Sequence, residues 1–382
     1  MKFRFILTFV LLWRVDAGAD DLREAWKIDL HHQYQYQTFD RELARNWLSQ
    51  QGVVFLTPQQ IAVYQVSKRP RSAKLGARDT SGGAGNFFLD VKIFDAHDGS
   101  LIQSLHLPTS ATFSKVFPTH DGKFIVRTGE RLCLYSSDFQ ELASRDLPLK
   151  RSAPLEEWEV NVDRSGQFVV LAHQTLFLHE QNSEEGDLNS GKSSADIEIL
   201  EADTLRTVKT LTVSNYMSHW SVGDHFLVGN HYTVPSHVND FGRMDYDGRW
   251  TELNSLWKVP RNSCSYLMDG MAHEFVAVYG CNRLFLLAPG GEKVFSAKVA
   301  ADETIASVIN ADSYLAAESD RNEIKFGNTV ARPVRIELYD VRRKTTLKWV
   351  PISSGAVYYD VSTNGDLAVI DGRELTLYVK EP

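Results

Sequence analysis

The sequence predicts an all-β chain folded as a closed ring of about seven similar four-stranded antiparallel sheets. Three observations carry this. One unit recurs: Thr119-His120-Asp121-Gly122-Lys123-Phe124-Ile125-Val126, Asp163-Arg164-Ser165-Gly166-Gln167-Phe168-Val169-Val170 and Ser362-Thr363-Asn364-Gly365-Asp366-Leu367-Ala368-Val369 each set a tight polar turn before a short apolar strand. A second strand ending in an aromatic residue follows, as in Leu132 to Tyr135 and Leu375 to Tyr378. The chain ends leave a lone strand at one extremity and a sheet short of one strand at the other. A repeated sheet of this kind cannot bury its faces alone and must stack on its neighbours.

The elements follow in order. Residues 1–19 read as a secretory signal, with Lys2 and Arg4 as the charged start, Phe5 to Trp13 as the apolar run and Ala17-Gly18-Ala19 as the cleavage site before Asp20. That run is shorter than the roughly 20 residues a bilayer span requires. An uncleaved anchor is the alternative, given Arg14 and Asp16 just behind it. Residues 20–382 are expected to form one domain in a periplasm or outside the cell, with no later membrane-crossing segment. Ala25 to Leu30 is a lone strand, and residues about 40–108 hold a first sheet whose opening strand is poorly defined. The clearest sheet runs Thr112 to Phe117, Lys123 to Thr128, Arg131 to Ser136 and Gln140 to Asp146. Residues 157–211 repeat it, ending in Ile197 to Leu200 and Leu205 to Leu211. Residues 217–254 do so with Phe241 to Tyr246 and Arg249 to Leu253 joined across Asp247-Gly248, a type I′ hairpin signal that asks for positive φ at both residues. Residues 263–299 and 303–351 give two more copies. Val357 to Val361, Leu367 to Ile370 and Leu375 to Val379 lack a fourth strand, which Ala25 to Leu30 supplies if the ring closes on itself. Six or eight sheets are also compatible with this spacing.

The Asp-Gly and Asn-Gly turns, the strand endings Ile93-Phe94-Asp95 and Leu338-Tyr339-Asp340, and the exchange of a terminal strand resemble the WD40-like and YVTN-type β-propellers of secreted bacterial proteins. The resemblance implies a β-propeller of about seven blades. It specifies a fold and no activity; similar propellers include lactone hydrolases and subunits of amine dehydrogenases, whose sites lie at the channel mouth. No blade carries the full Gly-His and Trp-Asp signature of eukaryotic WD40 proteins.

Composition narrows the function classes. With 43% hydrophobic and 24% charged residues the chain is globular, and its net charge of −8 lacks the concentrated basic face that nucleic acid requires. There is no Gly-x-Ser-x-Gly elbow, phosphate-cradling loop or His-Glu-x-x-His pair. Gly82-Gly83-Ala84-Gly85 leads into a strand, whereas nucleotide loops lead into a helix. The three cysteines are few. Cys264 and Cys281 would face each other in a hairpin centred near residues 272–273 and form a candidate disulfide, with two free thiols as the alternative, while Cys133 reads as a small buried hydrophobe. Trp26, Trp158, Trp220 and Trp349 are expected to pack between sheets.

In an up-and-down sheet, the link between second and third strands leaves at the same end as the link to the next sheet. Residues 68–86, 182–195, 231–240 and 319–332 are long inserts at that position, so they share one face. Loops on a rigid scaffold commonly carry recognition. Candidate binding residues are Lys68, Arg69, Arg71, Lys74 and Arg78 in the basic insert, His231, His237 and Asp240 in the third, and Asp320 and Arg321 in the last. His219, His225, His231 and His237 fit no metal-ligand spacing, and neither a metal nor another cofactor is expected. The reading is a monomeric propeller that binds a protein or glycan through the long-insert face, with a channel-mouth enzyme or enzyme subunit as the alternative.

Overall fold

The computed structural model describes residues 22–30, 51–68, 87–109, 114–129, 131–147, 156–175, 194–214, 217–233, 238–253, 267–280, 282–325, 328–353 and 357–380. Strand β1 is Leu22–Asp29. The first blade holds β2 (Gln51–Thr57), β3 (Gln60–Lys68), β4 (Phe87–Asp95) and β5 (Leu101–Thr109). The second holds β6 (Lys115–Pro118), β7 (Phe124–Arg127), β8 (Arg131–Tyr135) and β9 (Glu141–Asp146). The third holds β10 (Glu156–Val162), β11 (Phe168–Thr175), β12 (Ser194–Glu201) and β13 (Thr207–Ser214). The fourth holds β14 (Met217–Val222), β15 (Phe226–Thr233), β16 (Val238–Asp245) and β17 (Trp250–Glu252). The fifth holds β18 (Leu267–Gly270), β19 (Val276–Gly280), β20 (Arg283–Leu287) and β21 (Lys293–Lys298). The sixth holds β22 (Glu303–Ala311), β23 (Tyr314–Lys325), β24 (Asn328–Asp340) and β25 (Thr345–Pro351). The seventh is β26 (Val357–Val361), β27 (Leu367–Asp371) and β28 (Glu374–Lys380), completed by β1.

Every sheet is four-stranded, and within each blade the strands follow chain order, each antiparallel to its neighbour. The seventh sheet has the order β1-β28-β27-β26, with Leu22 opposite Lys380 and Asp29 opposite Glu374. The terminal strand therefore closes a seven-bladed β-propeller and leaves no blade short of a strand. It begins three residues earlier than the sequence reading placed it, and the ill-defined opening strand of the first blade is Gln51–Thr57.

The strand period of two explains the core. Successive side chains on one strand point to opposite faces, and here each face meets a different blade. Ile61 and Val63 of β3 pack against Ala368, Ile370, Leu375 and Leu377 of the seventh blade. Ala62, Tyr64 and Val66 of the same strand pack against Val116, Phe124 and Val126 of the second. Equivalent clusters fill the other five interfaces. The middle strands consequently read as unbroken apolar runs, because neither face is left to water. Cys133 sits in one of these clusters, buried and free, and burial pushes its thiol up to about 11.

Trp26 packs as expected beside the first blade and donates its Nε1 hydrogen to the carbonyl of Ala96 at 2.9 Å. Trp349 does not. It lies on the outer strand β25 with 52% of its surface exposed, and Arg335 stacks over it at 5.7 Å. Outer strands have no blade beyond them, which is why an aromatic there stays at the surface. The Asp247-Gly248 turn also differs from expectation: Gly248 takes φ 82°, Asp247 does not take positive φ, and Gly248 donates to the Asp245 carbonyl at 2.7 Å. The extra residue Tyr246 makes a three-residue loop, so a type I turn followed by a left-handed glycine replaces the type I′ form.

The short turns between first and second strands link neighbouring blades. His120 N donates to the Gly166 carbonyl at 3.3 Å, Arg164 N to that of Gly223 at 3.3 Å, and Asp224 N to that of Met271 at 3.4 Å. His273 N donates to Asp224 Oδ2 at 2.6 Å, and Ala272 N to Asn310 Oδ1 at 3.2 Å. These approaches need bare backbone. A Cβ on Gly166 would fall 2.5 Å from His120 N, and one on Gly270 would fall 2.3 Å from Gly223 N.

Candidate functional site

The first strands of the blades ring a central channel. A space of about 810 Å³ is lined by β2, β6, β22 and β26, with the turns after β10 and β22 at one end. First strands have one edge unpaired, so polar side chains on them meet the water of the channel.

An acidic group occupies the sixth-blade wall. Ser307 on β22 donates to Glu318 Oε2 at 2.7 Å and lies 2.7 Å from the hydroxyl of Tyr359 in the seventh blade. On the fifth blade Tyr279 donates its hydroxyl to Asp269 Oδ2 at 2.5 Å. Glu318 and Asp320 are two residues apart on β23 and hydrogen-bond each other. Desolvation first, then the Ser307-opposed repulsion from Asp320, pushes the Glu318 carboxyl up to about 7, and burial also raises Asp320. Asp320 Oδ1 is buried without a hydrogen-bond partner. Two bulges flank the pair: the register skips residue 306 in β22 and residue 334 in β24. Bulges bend a strand and re-aim its side chains, here turning the carboxyls together.

The opposite wall is cationic. Lys115, the first residue of β6, is exposed to the channel and lies over the Phe117 ring at 4.9 Å. Desolvation by the enclosing walls lowers its ammonium pKa, and the Arg164 guanidinium lowers it further. Arg164 follows β10 and reaches across the ring to donate Nε to the Gly270 carbonyl at 3.4 Å. Asp360 of β26, in the seventh blade, lines the same space and accepts the Phe55 backbone N–H at 2.7 Å through Oδ2. Desolvation pushes the Asp360 carboxyl up to about 6 against the opposing pull of that hydrogen bond and of Arg164 and Lys115.

The antiparallel order sends the β3–β4, β11–β12, β15–β16 and β23–β24 connections to one face. On that face the sequence reading needs correction. Residues 231–240 and 319–332 are largely strand, not loop: His231 lies on β15 opposite Asp240 on β16, and β23 and β24 stay paired out to Lys325 and Asn328. Asp320 and Arg321 are therefore strand residues, paired with Pro333 and Arg332. A two-stranded hairpin holds itself together by its own ladder, so an insert need not leave the strand conformation to leave the sheet.

Beyond Arg321 the hairpin outruns its blade. β22 pairs no further than Glu303 with Arg321, and β25 no further than Arg335 with Pro351. Residues 322–325 and 328–331 thus have ladder partners only in each other among the described residues. A charge network braces the base. Glu303, 4% exposed, meets Arg335 Nη2 at 2.7 Å and Arg321 Nη2 at 3.1 Å. Arg335 Nε reaches Glu337 at 2.6 Å, and Arg321 Nε reaches Asp302 at 2.9 Å.

The other expected site residues are not brought together by anything described. Lys68 is the last residue of β3, while Arg69, Arg71, Lys74, Arg78 and His237 lie outside the described residues, as do Cys264 and Cys281 and their proposed disulfide. His225 stands in a turn at φ 59°, 3.7 Å from Asp163. No group of three or more potential metal ligands occurs among the described residues. Sequence reasoning missed Lys115, Arg164, Asp360 and Glu318. Each falls on a first or second strand or its turn, and only position in the ring marks them.

No family model and no curated protein matches the chain. Solved structures do. The uncomplexed acylaminoacyl peptidase of Pyrococcus horikoshii aligns with a TM-score of 0.50 and 11% identity over 85% of this chain and 52% of that one. This chain spans about half the length of that peptidase. BamB from Moraxella catarrhalis aligns over 94% of this chain and 99% of its own at a TM-score of 0.39 and 11% identity. Hsv2 from Kluyvelomyces marxianus aligns over 75% and 85% at a TM-score of 0.44 and 11% identity. At such identity the likeness is one of fold alone. The chain is a seven-bladed β-propeller whose channel carries acid on one wall and base on another. No helix among the described residues is long and apolar enough to cross a membrane.

Proposed function

We propose that the protein is an exported, non-catalytic propeller scaffold that binds a partner protein through the face bearing the long second-to-third-strand connections. The observation that carries this is the β23–β24 hairpin, whose outer part has no ladder partner outside itself among the described residues. Such edges present backbone N–H and C=O groups to an incoming strand, the geometry of β-augmentation. The buried Glu303 with its two arginines supports the reading, because it stiffens the hairpin base and lowers the ordering cost of docking. The basic residues of the 68–86 insert supply charge for an acidic partner on the same side of the ring. Export rests on the Lys2, Arg4 and Ala17-Gly18-Ala19 pattern.

The test uses the full chain as bait in an extract of its own host, alongside two variants: one lacking residues 69–84, one with residues 322–331 replaced by a short Gly-Ser turn. Both should keep the wild-type circular dichroism and lose the partner. Retention of the same partner by both variants would refute this face as the docking surface. A glycan that elutes the bound material would instead mark a carbohydrate ligand. A second reading, an enzyme sited in the channel, has Glu318 in its favour, since a carboxyl held near neutrality in a cleft is suited to proton transfer. A stoichiometric metal found by elemental analysis of the purified protein would favour that reading.

A further inference from the structure

We propose that the propeller channel is also a binding site for a small organic anion, a carboxylate- or phosphate-bearing molecule held between the Lys115 ammonium and the Arg164 guanidinium, with Asp360 as the polar group on the adjoining wall. The site is separate from the hairpin face and stands whether or not that face binds a protein.

The first argument is convergence without neutralisation. Lys115 comes from the second blade and Arg164 from the third, and both line the channel. Neither forms an ion pair with a described carboxylate. Several arginines elsewhere on the chain do: Arg145 meets Glu198 at 2.5 Å, Arg243 meets Glu274 at 3.0 Å and Arg335 meets Glu303 at 2.7 Å. Two like charges converging in an enclosed space repel, and an anion between them relieves the repulsion. Burial is the largest cause of the lowered Lys115 pKa, and Arg164 and Arg127 lower it further against the opposing pull of Glu159 and Asp360.

The second argument is preorganisation. Arg164 is fixed twice, by its backbone N on the Gly223 carbonyl at 3.3 Å and by Nε on the Gly270 carbonyl at 3.4 Å. Its two terminal nitrogens have no hydrogen bond to any described residue and form the fork that recognises carboxylate or phosphate. Lys115 is held by the Phe117 ring at 4.9 Å. Asp360 is held in place by backbone N–H groups, Phe55 donating to Oδ2 at 2.7 Å and Val361 to the same carboxylate. The space of about 810 Å³ lies within the roughly 300–1,000 Å³ usual for small-molecule sites.

The rest of the channel sets the ligand size. Glu318 lines the same space, so a long polyanion threading the ring would meet a carboxyl wall. A compact anion beside the second and third blades avoids it.

Isothermal titration of the full chain in phosphate-free buffer tests this with two probes, inorganic phosphate and succinate; their relative strength tells phosphate from carboxylate ligands. At least one should bind, and Lys115→Gln and Arg164→Gln should each weaken it by about tenfold or more. Both side chains are exposed, so the variants should melt as the wild type does. An independent readout is acylation of Lys115 by an amine reagent at about pH 8, followed by peptide mass spectrometry, because a lowered pKa makes the amine reactive there and a bound anion shields it. The effective probe should slow that labelling. Absence of binding and of protection by both probes, or equal affinity in wild type and both variants, would overturn the proposal.

Discussion

Replacing Glu318 by Gln should make the propeller more stable at neutral and alkaline pH while leaving it unchanged in acid. In the folded chain desolvation holds this carboxyl at about 7, against an ordinary value of 4.5. An acid whose pKa rises on folding stabilises the native state in its protonated form. That contribution is whole below about pH 4.5, declines as pH rises, and is gone above about pH 7. The displacement corresponds to about 3 kcal/mol as a ceiling, since water in the channel screens part of it. Gln mimics the protonated acid: its oxygen still accepts from Ser307, 2.7 Å away in the parent, and its amide donates to Asp320. At about 2 °C per kcal/mol for a large domain, the variant should melt up to about 5 °C above wild type at about pH 8 and level with it at about pH 4.5. The assay is a pair of thermal melts across that range. Asp360, held at about 6, titrates in both proteins and cancels in the difference. A difference that stays constant with pH would refute the desolvation of the Glu318 carboxyl on this wall.

Ring closure makes Leu22, 1% exposed between the sixth and seventh blades, a structural staple: Leu22→Ala should cost about 2–5 kcal/mol in urea unfolding. Gly270→Ala would set a Cβ 2.3 Å from Gly223 N and 2.7 Å from the Val222 carbonyl carbon, backbone that cannot swing aside, and should destabilise by about 1–3 kcal/mol in the same measurement. Cys133, with its thiol pushed to about 11, should resist alkylation in the native protein at about pH 8 and react once denaturant opens the core, as read on its own peptide.

Much of the fold was legible because its signals are local. The turn before Phe124 and the turn before Phe168 recur with the same chemistry, and each introduces strands of the expected kind. Even the exchange of the terminal strand followed from counting, since Val357–Val361, Leu367–Asp371 and Glu374–Lys380 leave one place empty. The hairpin at Asp247-Gly248 was legible as a hairpin, yet its turn type was decided by Tyr246 joining the loop. Residues 319–332 looked like an insert because their polar sequence lacks the alternation of a half-buried strand. In the fold Asn322 to Lys325 pair with Asn328 to Ala331, and that outer hairpin needs no third strand.

The channel was not legible at all. Lys115 opens a four-residue strand, Arg164 fills a turn, and Asp360 sits between Tyr359 and Val361 in an apolar run. Nothing in their spacing relates them, since 45 or more residues separate each from the next. The amino-acid order by itself determined the blades, because period-two burial and turn conformation depend on residues within a few positions of one another. Only the tertiary structure decided which charges face each other across the channel and where a hairpin outruns its sheet. Those meetings are set by closing the ring, which brings together side chains from blades that share no local signal.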